Sequence, residues 1–282
     1  MLKKFNKIKQ DIEQIWKLKE KSFKDKIFLK KCQNLLEEIL SYIEEGEITI
    51  CYEDEKKNWL VNEWIKKAIV LFFRLNSMIK FTTGESFFCD KIHQLVNNEQ
   101  KLNKIISKNT RLVPGCNIRK GVFIGKKVII MPSFINIGAN IGDNSMIDSG
   151  VTIGSCAHVG ENCHISSNVV LGGVLEPICK KPVIISNNCF ISAGVTITEG
   201  VVISRNSVVG SGCNITSTTK VIDLRNNNRI TYSGMVPENS VVVPGVVKKE
   251  NYDNVFLNCV FIIKEVCHST LSKTSINDTL RK

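Results

Sequence analysis

The sequence has no hydrophobic run long enough to cross a membrane. Its longest unbroken, strongly apolar stretch is Ala68–Phe73, whereas a membrane-spanning helix needs about 20 such residues. The basic N-terminal segment MLKKFNKIKQ has neither an apolar core nor a small-residue cleavage site, so it does not resemble a secretory signal. These absences predict a cytoplasmic protein that does not associate with membranes.

The cysteines lack the spacing of a metal site or of a disulfide framework. There are eleven, an odd number, and no two of them form a CxxC pair. A chain of 282 residues is long enough to bury a core without covalent crosslinks. We therefore expect reduced thiols and no bound metal.

The positive charge is not concentrated in any segment. The net charge is +11, and residues 1–110 carry 21 Lys and Arg against 16 Asp and Glu, while the remainder carries 17 against 11. Basic clusters interleaved with aromatic residues are also missing, which argues against nucleic-acid binding. A basic protein that handles small polyanionic ligands fits this composition equally well.

Residues 1–107 show the periodicity of amphipathic helices. Leu36, Ile39, Leu40 and Ile43 follow the i, i+3, i+4, i+7 spacing of a helix that is buried on one face. The segment 61–72 repeats the pattern, with Lys66 and Lys67 assigned to the opposite, solvent face. We therefore predict an α-helical N-terminal domain over residues 1–107, ending in a polar, lysine-rich linker.

After Pro114 the hydrophobic period changes to six residues. From Ile141 onward, every sixth residue is aliphatic, apart from one step of fourteen between Leu171 and Ile185. The thirteen positions, all Ile, Val or Leu, are Ile141, Ile147, Ile153, Val159, Ile165, Leu171, Ile185, Ile191, Ile197, Ile203, Val209, Ile215 and Val221. Ile118, Ile124 and Ile130 also step by six but are one residue out of phase, which predicts a one-residue irregularity within 131–140.

This repeat predicts a mainly β fold, a parallel β-helix over residues 108–246, followed by a short C-terminal extension over 247–282. Each hexad supplies one short strand and one corner, and three hexads complete a coil. The aliphatic residues point inward, as do the small residues two positions before them, and Gly and other small residues turn the corners. Cys163, Cys189 and Cys213 occupy this small inward position, so we interpret them as packing residues.

Several sequence strings resemble a particular hexapeptide-repeat family. They run in family order from the helical region to the C-terminus, and the most specific are GGVLEP (172–177), which opens the insertion, and SKTSINDTLR (272–281). The others are NEWIKKAIVLFFRLN (62–76), RLVPG (111–115), VIIMPSFINIGANI (128–141), IGSCAHVGENCHIS (153–166) and NNCFISA (187–193). Together they resemble the tetrahydrodipicolinate N-succinyltransferases.

The resemblance implies a left-handed β-helix, a homotrimer and an acyltransferase that uses succinyl-CoA without a metal. The acceptor would be the amine of a six-carbon-backbone dicarboxylic acid in lysine and diaminopimelate synthesis. Arg111 matches the family's substrate-binding arginine, whose planar fork suits a carboxylate. Asp148 matches an acidic residue implicated in substrate binding and catalysis, and we predict that it points outward at the end of a strand.

The resemblance implies a second carboxylate in addition to Asp148, and the sequence departs from the family at that position. Where the family has a glutamate, this chain has Thr196, and Glu199 three residues later is more typical of a corner. His158 and His164 both precede inward aliphatic residues, so we expect them to face outward, with a role for His164 left open. Gly172, Gly173 and Lys248 are candidate contacts of the CoA moiety.

Two further functions stay open at this point. The changes near Asp148 and Thr196 could reflect another CoA-dependent hexapeptide acyltransferase with an altered acceptor. Alternatively, the chain could be a β-helical trimer without catalytic activity. Only four histidines are present, one of them in each terminal region, which gives little support to a metal-dependent hydratase on the same scaffold.

Overall fold

The structure, a computed structural model, describes residues 2–225, 230–267 and 270. Within these residues, four α-helices precede residue 110: α1 (Leu2–Trp16), α2 (Lys26–Glu45), α3 (Glu63–Leu75) and α4 (Glu99–Ser107). A short 3₁₀ helix, Glu20–Lys24, lies between α1 and α2. No helix of the described residues is long and apolar enough to cross a membrane.

Helix α2 has well-formed ends and the predicted buried face. The Asp25 carboxylate caps its first turn by accepting from the backbone N–H of Ile27 at 2.8 Å. Gly46 ends it with φ 75°, and a Cβ at this position would lie 2.5 Å from the Phe123 ring. The apolar stripe from Leu36 to Ile43 is buried, which confirms the predicted helix face.

Two antiparallel hairpins interrupt the helical region. Strands β1 (Cys51–Glu53) and β2 (Trp59–Val61) pair between α2 and α3. Strands β3 (Ile79–Thr83) and β4 (Ser86–Asp90) pair between α3 and α4. The polar segment 49–59 between the two helical stripes indicates a short strand or turn, whereas the second hairpin is not predicted by the sequence periodicity.

The repeat region consists of short strands separated by tight corners. All are two residues long except β22: β5 Arg111–Leu112, β6 Asn117–Ile118, β7 Phe123–Ile124, β8 Ile129–Ile130, β9 Phe134–Ile135, β10 Asn140–Ile141, β11 Met146–Ile147, β12 Thr152–Ile153, β13 His158–Val159, β14 His164–Ile165, β15 Val170–Leu171, β16 Ile184–Ile185, β17 Phe190–Ile191, β18 Thr196–Ile197, β19 Val202–Ile203, β20 Val208–Val209, β21 Asn214–Ile215, β22 Lys220–Asp223, β23 Thr231–Tyr232 and β24 Met235–Val236. The step from Ile130 to Ile135 is five residues, which confirms the predicted irregularity.

From β5 to β18, each strand pairs in parallel with the strand three positions later in the chain. For example, β10 pairs with both β7 and β13. The chain therefore visits three sheets in turn. Sheet 1 contains β7, β10, β13, β16, β19 and β24; sheet 2 begins with β5, β8, β11, β14, β17 and β20; sheet 3 contains β6, β9, β12, β15, β18 and β21.

The interior of the repeat region follows the predicted inward pattern. All thirteen aliphatic residues of the hexads are completely buried. Cys163, Cys189 and Cys213 are buried among them, which confirms that they are packing residues. Removing these apolar side chains from water supplies the main stabilisation of such a coil.

The corners differ in one respect from the prediction. The residues with positive φ, such as Asn144, Gly150 and Asn162, come three positions after the inward aliphatic residue. The glycines directly after that residue serve a different purpose. A Cβ on Gly142 would lie 2.5 Å from the carbonyl carbon of Gly160 in the next coil, so close approach between coils, not positive φ, requires glycine there.

The helical region covers the outer face of sheet 1. Ile184 and Val202 on that face belong to the same buried cluster as Leu40, Ile69 and Trp64 of the helices. The outer faces of the three sheets are therefore not equivalent. A residue that points outward from sheet 1 is enclosed by other parts of the chain.

The chain leaves the repeat region through a long hairpin at the far end of sheet 2. Strand β25 (Ser240–Lys248) pairs in parallel with β20 through Val241 and Val242 and then in antiparallel with β26 (Phe256–Glu265). Strand β25 continues past residue 246, where the C-terminal extension was expected to begin. The string SKTSINDTLR (272–281) lies outside the described residues.

Candidate active site

Asp148 and His164 form a carboxylate–imidazole pair on the surface of sheet 2. Met146 of β11 lies opposite His164 of β14 in the parallel register, and Asp148 follows two residues after Met146. This register places His164 Nε2 3.3 Å from Asp148 Oδ2. The side chains are 21% and 25% exposed, respectively, so both are accessible to a small molecule.

Neighbouring strands hold the imidazole ring in place. Phe190 of β17 occupies the next position in the register, and its ring lies edge-on to that of His164, with centroids 4.9 Å apart and an interplanar angle of 67°. The backbone N–H of His164 donates to Cys189 O at 3.0 Å. Packing and backbone pairing therefore limit the orientations that the ring can take.

Arg111 lies on the same sheet as this pair. It pairs with Ile129 of β8, which in turn pairs with Met146. Its strand is thus two strands from the one that leads to Asp148. Arg111 is exposed, so its guanidinium and the Asp148 carboxylate can both contact a ligand that lies along this face.

Thr196 lies on a different face. It is on β18 in sheet 3, where it pairs with Val170 and Asn214. Asp148 ends its strand in sheet 2, two coils earlier, at the corner that leads into sheet 3. Glu199 sits at a corner with φ 58° and accepts from the Ser217 hydroxyl at 2.6 Å, as expected of a corner residue.

His158 points outward as predicted, but the helical region half-buries it, so it is not the solvated residue that we expected. It points outward from β13, but β13 belongs to sheet 1, which the helical region covers. Its ring packs on Trp59 with centroids 4.8 Å apart. Burial lowers the pKa of this imidazole from 6.5 to about 4, so it stays neutral near neutral pH.

The insertion loop, residues 173–182, begins at the predicted glycine pair. A Cβ on Gly173 would lie 2.0 Å from the backbone nitrogen of Ser155, and one on Gly172 would lie 3.0 Å from Thr198 Cα. Close packing of the departing loop between coils thus accounts for both glycines.

Lys66 ties the insertion loop to helix α3. Its Nζ donates to the backbone carbonyls of Pro177, Ile178 and Lys180 at 3.1, 2.9 and 2.8 Å. The side chain is 0% exposed, so the prediction that Lys66 lies on the solvent face of its helix was wrong. The periodicity of helix α3 could not predict these hydrogen bonds, because they involve a loop more than 100 residues away in the chain.

Lys248 lies far along the terminal hairpin. It is the last residue of β25, and its Nζ is 3.4 Å from Asp253 Oδ1 in the exposed turn that leads to β26. The structure gives it no contact with Asp148, His164 or the insertion loop. Among the described residues, no group of three or more His, Cys, Asp or Glu side chains is placed to hold a metal ion.

The pairing of a carboxylate with an imidazole suits proton transfer at a nucleophile. A histidine whose ring is oriented by a carboxylate is a common arrangement for activating an attacking group. The sequence pattern contained the signal for this pair. Residues 18 apart stack in a three-strand coil, and Asp148 lies 16 residues before His164, within side-chain reach of that stacking.

Family models match both the helical N-terminal region and the repeat region of the chain. The family model described as tetrahydrodipicolinate N-succinyltransferase N-terminal matches residues 7–75. The model for bacterial transferase hexapeptide (six repeats) matches residues 138–173. The hexapeptide repeat of succinyl-transferase matches residues 118–155 and 182–217.

Curated relatives match over nearly the entire chain. A 2,3,4,5-tetrahydropyridine-2,6-dicarboxylate N-succinyltransferase from a Wolbachia endosymbiont of Brugia malayi is 40% identical over 277 residues, covering 98% of each chain. The protein of that name from Rickettsia felis is 43% identical over 272 residues, covering 96% of this chain and 98% of its own.

A solved structure shows the same fold at low sequence identity. A protein from Campylobacter jejuni, described as a 2,3,4,5-tetrahydropyridine-2-carboxylate N-succinyltransferase, superposes with a TM-score of 0.51 and 16% identity. The superposition covers 80% of this chain and 62% of that one. Given the identity and coverage of the curated relatives, this chain belongs to the 2,3,4,5-tetrahydropyridine-2,6-dicarboxylate N-succinyltransferase family.

Proposed function

We propose that this protein transfers the succinyl group of succinyl-CoA to the amine of tetrahydrodipicolinate, in its L-2-amino-6-oxopimelate form. This is a step of lysine and diaminopimelate biosynthesis. The observation that carries the proposal is the 40% identity, over 98% of both chains, to a relative named for this reaction. The half-buried but solvent-accessible Asp148–His164 pair on sheet 2 supplies groups of the kind that the reaction needs.

The acceptor binds along sheet 2. Arg111 binds one of its carboxylates, since a guanidinium offers two parallel donors to a carboxylate. Asp148 binds the amine and takes part in the loss of its proton. The placement of both residues on one sheet, two strands apart, supports this assignment.

Succinyl-CoA is the acyl donor, and no metal takes part. Gly172 and Gly173 contribute to the binding of CoA where the insertion loop leaves the coil, and Lys248 contributes positive charge toward its phosphates. Lys180 and Lys181, near the other end of the loop, are exposed and add to this charge.

The protein acts as a cytoplasmic homotrimer of left-handed β-helices. Its units are residues 1–107, 108–246 and 247–282. Arg111 and Asp148 lie on sheet 2, whereas the insertion loop leaves at the corner between sheets 3 and 1. A second copy of the chain would cover the outer face of sheet 2. The separation between that face and the insertion loop of the same chain supports an active site shared between subunits.

Thr196 motivates one alternative function. It stands where the family has a glutamate, so the enzyme could be a hexapeptide acyltransferase that uses CoA thioesters but takes a different amine. A non-catalytic β-helical trimer is less well supported, because Asp148 and Arg111 are both retained.

Thiol release tests the proposal directly. The purified protein is incubated with succinyl-CoA or acetyl-CoA, each with and without 2-aminopimelate, a stable analogue of the acceptor, while free CoA thiol is followed with a chromogenic disulfide. We expect release that requires 2-aminopimelate and is faster with succinyl-CoA. Release with other amino acids but not with 2-aminopimelate would favour the altered acceptor, and none with any amine would contradict a transferase.

A further inference from the structure

The outer face of sheet 2 brings one imidazole into contact with the carboxylate of Asp148. We propose that His164 is a catalytic residue that takes the proton of the attacking amine at Nδ1, while Asp148 holds the ring through its Nε2–H. The inference rests on the proposed transfer reaction and names the group that carries its proton.

The contact with Asp148 selects one tautomer of His164. An ionised carboxylate has only acceptor oxygens, so the Nε2 atom, 3.3 Å from Asp148 Oδ2, must carry a hydrogen to form a favourable bond. In the neutral ring the lone pair then lies on Nδ1. None of the described residues forms a hydrogen bond with Nδ1, so that atom remains available as a proton acceptor.

The surroundings of the ring add no competing charge. Its neighbours in the sheet register are Met146 on β11 and Phe190 on β17, and both are uncharged. Among the described residues, Asp148 is the one charged group within ion-pair distance of the ring. Phe190 packs against the ring, so His164 cannot rotate freely away from Asp148.

The pair offers two groups that could take a proton from an amine. Among the described residues, Asp148 is the one carboxylate within ion-pair distance of His164. A neutral imidazole is an intrinsically stronger base than a carboxylate, and it is the side chain that most often serves as a general base. Of the two paired groups, the imidazole is therefore better suited to take up the proton.

The reaction then balances without a further reactant. The amine nitrogen forms a bond to the thioester carbonyl carbon, and the carbon–sulfur bond breaks. The N–H proton passes to Nδ1, directly or through one water, and the resulting imidazolium gives it to the departing thiolate. The products are the amide and the free thiol of CoA, with His164 restored to its neutral form.

The substitution His164→Gln separates proton transfer from positioning. The glutamine amide retains a hydrogen-bond donor for Asp148 but cannot accept a proton as imidazole does. We expect kcat for succinyl transfer to 2-aminopimelate to fall by about 10²–10⁴. The kcat–pH profile of the variant should also lack one ionisation that the wild-type profile contains. His164→Ala is expected to show the same two changes and serves if the glutamine variant does not fold.

His93→Gln is the matched control, because His93 is exposed and lies outside sheet 2, and its activity should equal that of the wild type. A His164→Gln enzyme within about threefold of wild-type kcat would overturn the proposal, since a donor alone would then suffice. A slow variant that keeps every ionisation of the wild-type profile would overturn it as well. If the wild type itself releases no thiol, the proposed function fails before this inference is reached.

Discussion

The burial of His158 predicts a specific loss of stability in mild acid. Its ring lies against Trp59, and its Nδ1 is buried without a hydrogen-bond partner among the described residues. Burial in this apolar environment penalises the imidazolium and lowers the pKa of His158 from 6.5 to about 4. The folded protein therefore keeps this side chain neutral at pH values at which an exposed histidine is charged.

The sign and size of the effect follow from linkage. Between pH 6.5 and about 4 the unfolded chain binds a proton at His158 that the folded protein does not bind, so the free energy of unfolding falls as the pH falls. With about 1.4 kcal/mol for each pKa unit, the loss is about 2 kcal/mol at pH 5 and about 3 kcal/mol near pH 4. Above pH 6.5 no loss is expected, and below pH 4 it does not grow further.

Guanidinium unfolding at pH 7.5 and at pH 5, followed by tryptophan fluorescence at one fixed protein concentration, measures this loss. Aspartate and glutamate side chains also titrate in this range, so the quantity of interest is a difference between proteins. The variant His158→Gln has no titratable group at this position and should lose about 2 kcal/mol less than the wild type between the two pH values. His93→Gln, in which an exposed histidine is replaced, should behave like the wild type.

Equal pH dependence of stability in the wild type and in His158→Gln would refute this reasoning. A direct measurement on the wild type provides a second test that does not depend on a folded variant. The sequence contains four histidines, so their ring protons can be followed separately in an NMR titration. An apparent pKa near 6.5 for His158 would also contradict the argument.

Three further predictions concern the core, the insertion loop and the site. Ile153→Asp places an unpaired charge in the completely buried interior of the repeat region and should lower the free energy of unfolding by about 4 kcal/mol; an unchanged melting temperature would show that the inward phase is wrong. Lys66→Met removes three hydrogen bonds to the insertion loop and should speed amide hydrogen exchange within the loop, whereas Lys67→Met, which leaves those bonds intact, should not. Asp148→Asn should lower kcat by about 10²–10⁴, whereas Thr196→Glu, which introduces the glutamate that the family resemblance implies at this position, should keep or raise it; the reverse order would contradict the assignment of Asp148.

The interior of the repeat region could be predicted because its constraint is local. Every coil must place an aliphatic side chain at the same point of its cross-section, so the period of six appears directly in the sequence. The five-residue step between Ile130 and Ile135 could be located for the same reason, since a single shortened corner shifts the phase of all later hexads. The buried stripe of α2 follows from the helical period in the same way.

The errors concern outward positions, and they share one physical cause. The hexad period distinguishes inward from outward but does not say which of the three outer faces the rest of the chain covers. His158 and His164 occupy equivalent positions in successive hexads, yet one is enclosed by the helical region and the other lies on sheet 2. The error at Lys66 has the same cause. Its burial depends on the insertion loop, which packs against helix α3.

The candidate site could be predicted from the sequence only in part. Arg111 and Asp148 could be identified only through resemblance, because an exposed Arg or Asp in a corner has no local signature of function. Their shared position on sheet 2, however, follows from counting coils once the strand period is known. The same count brings Asp148 beside His164 and leaves Thr196 on sheet 3. The geometry of the coil thus pairs an imidazole with the carboxylate on one outer face, and the His164→Gln experiment tests what that imidazole does.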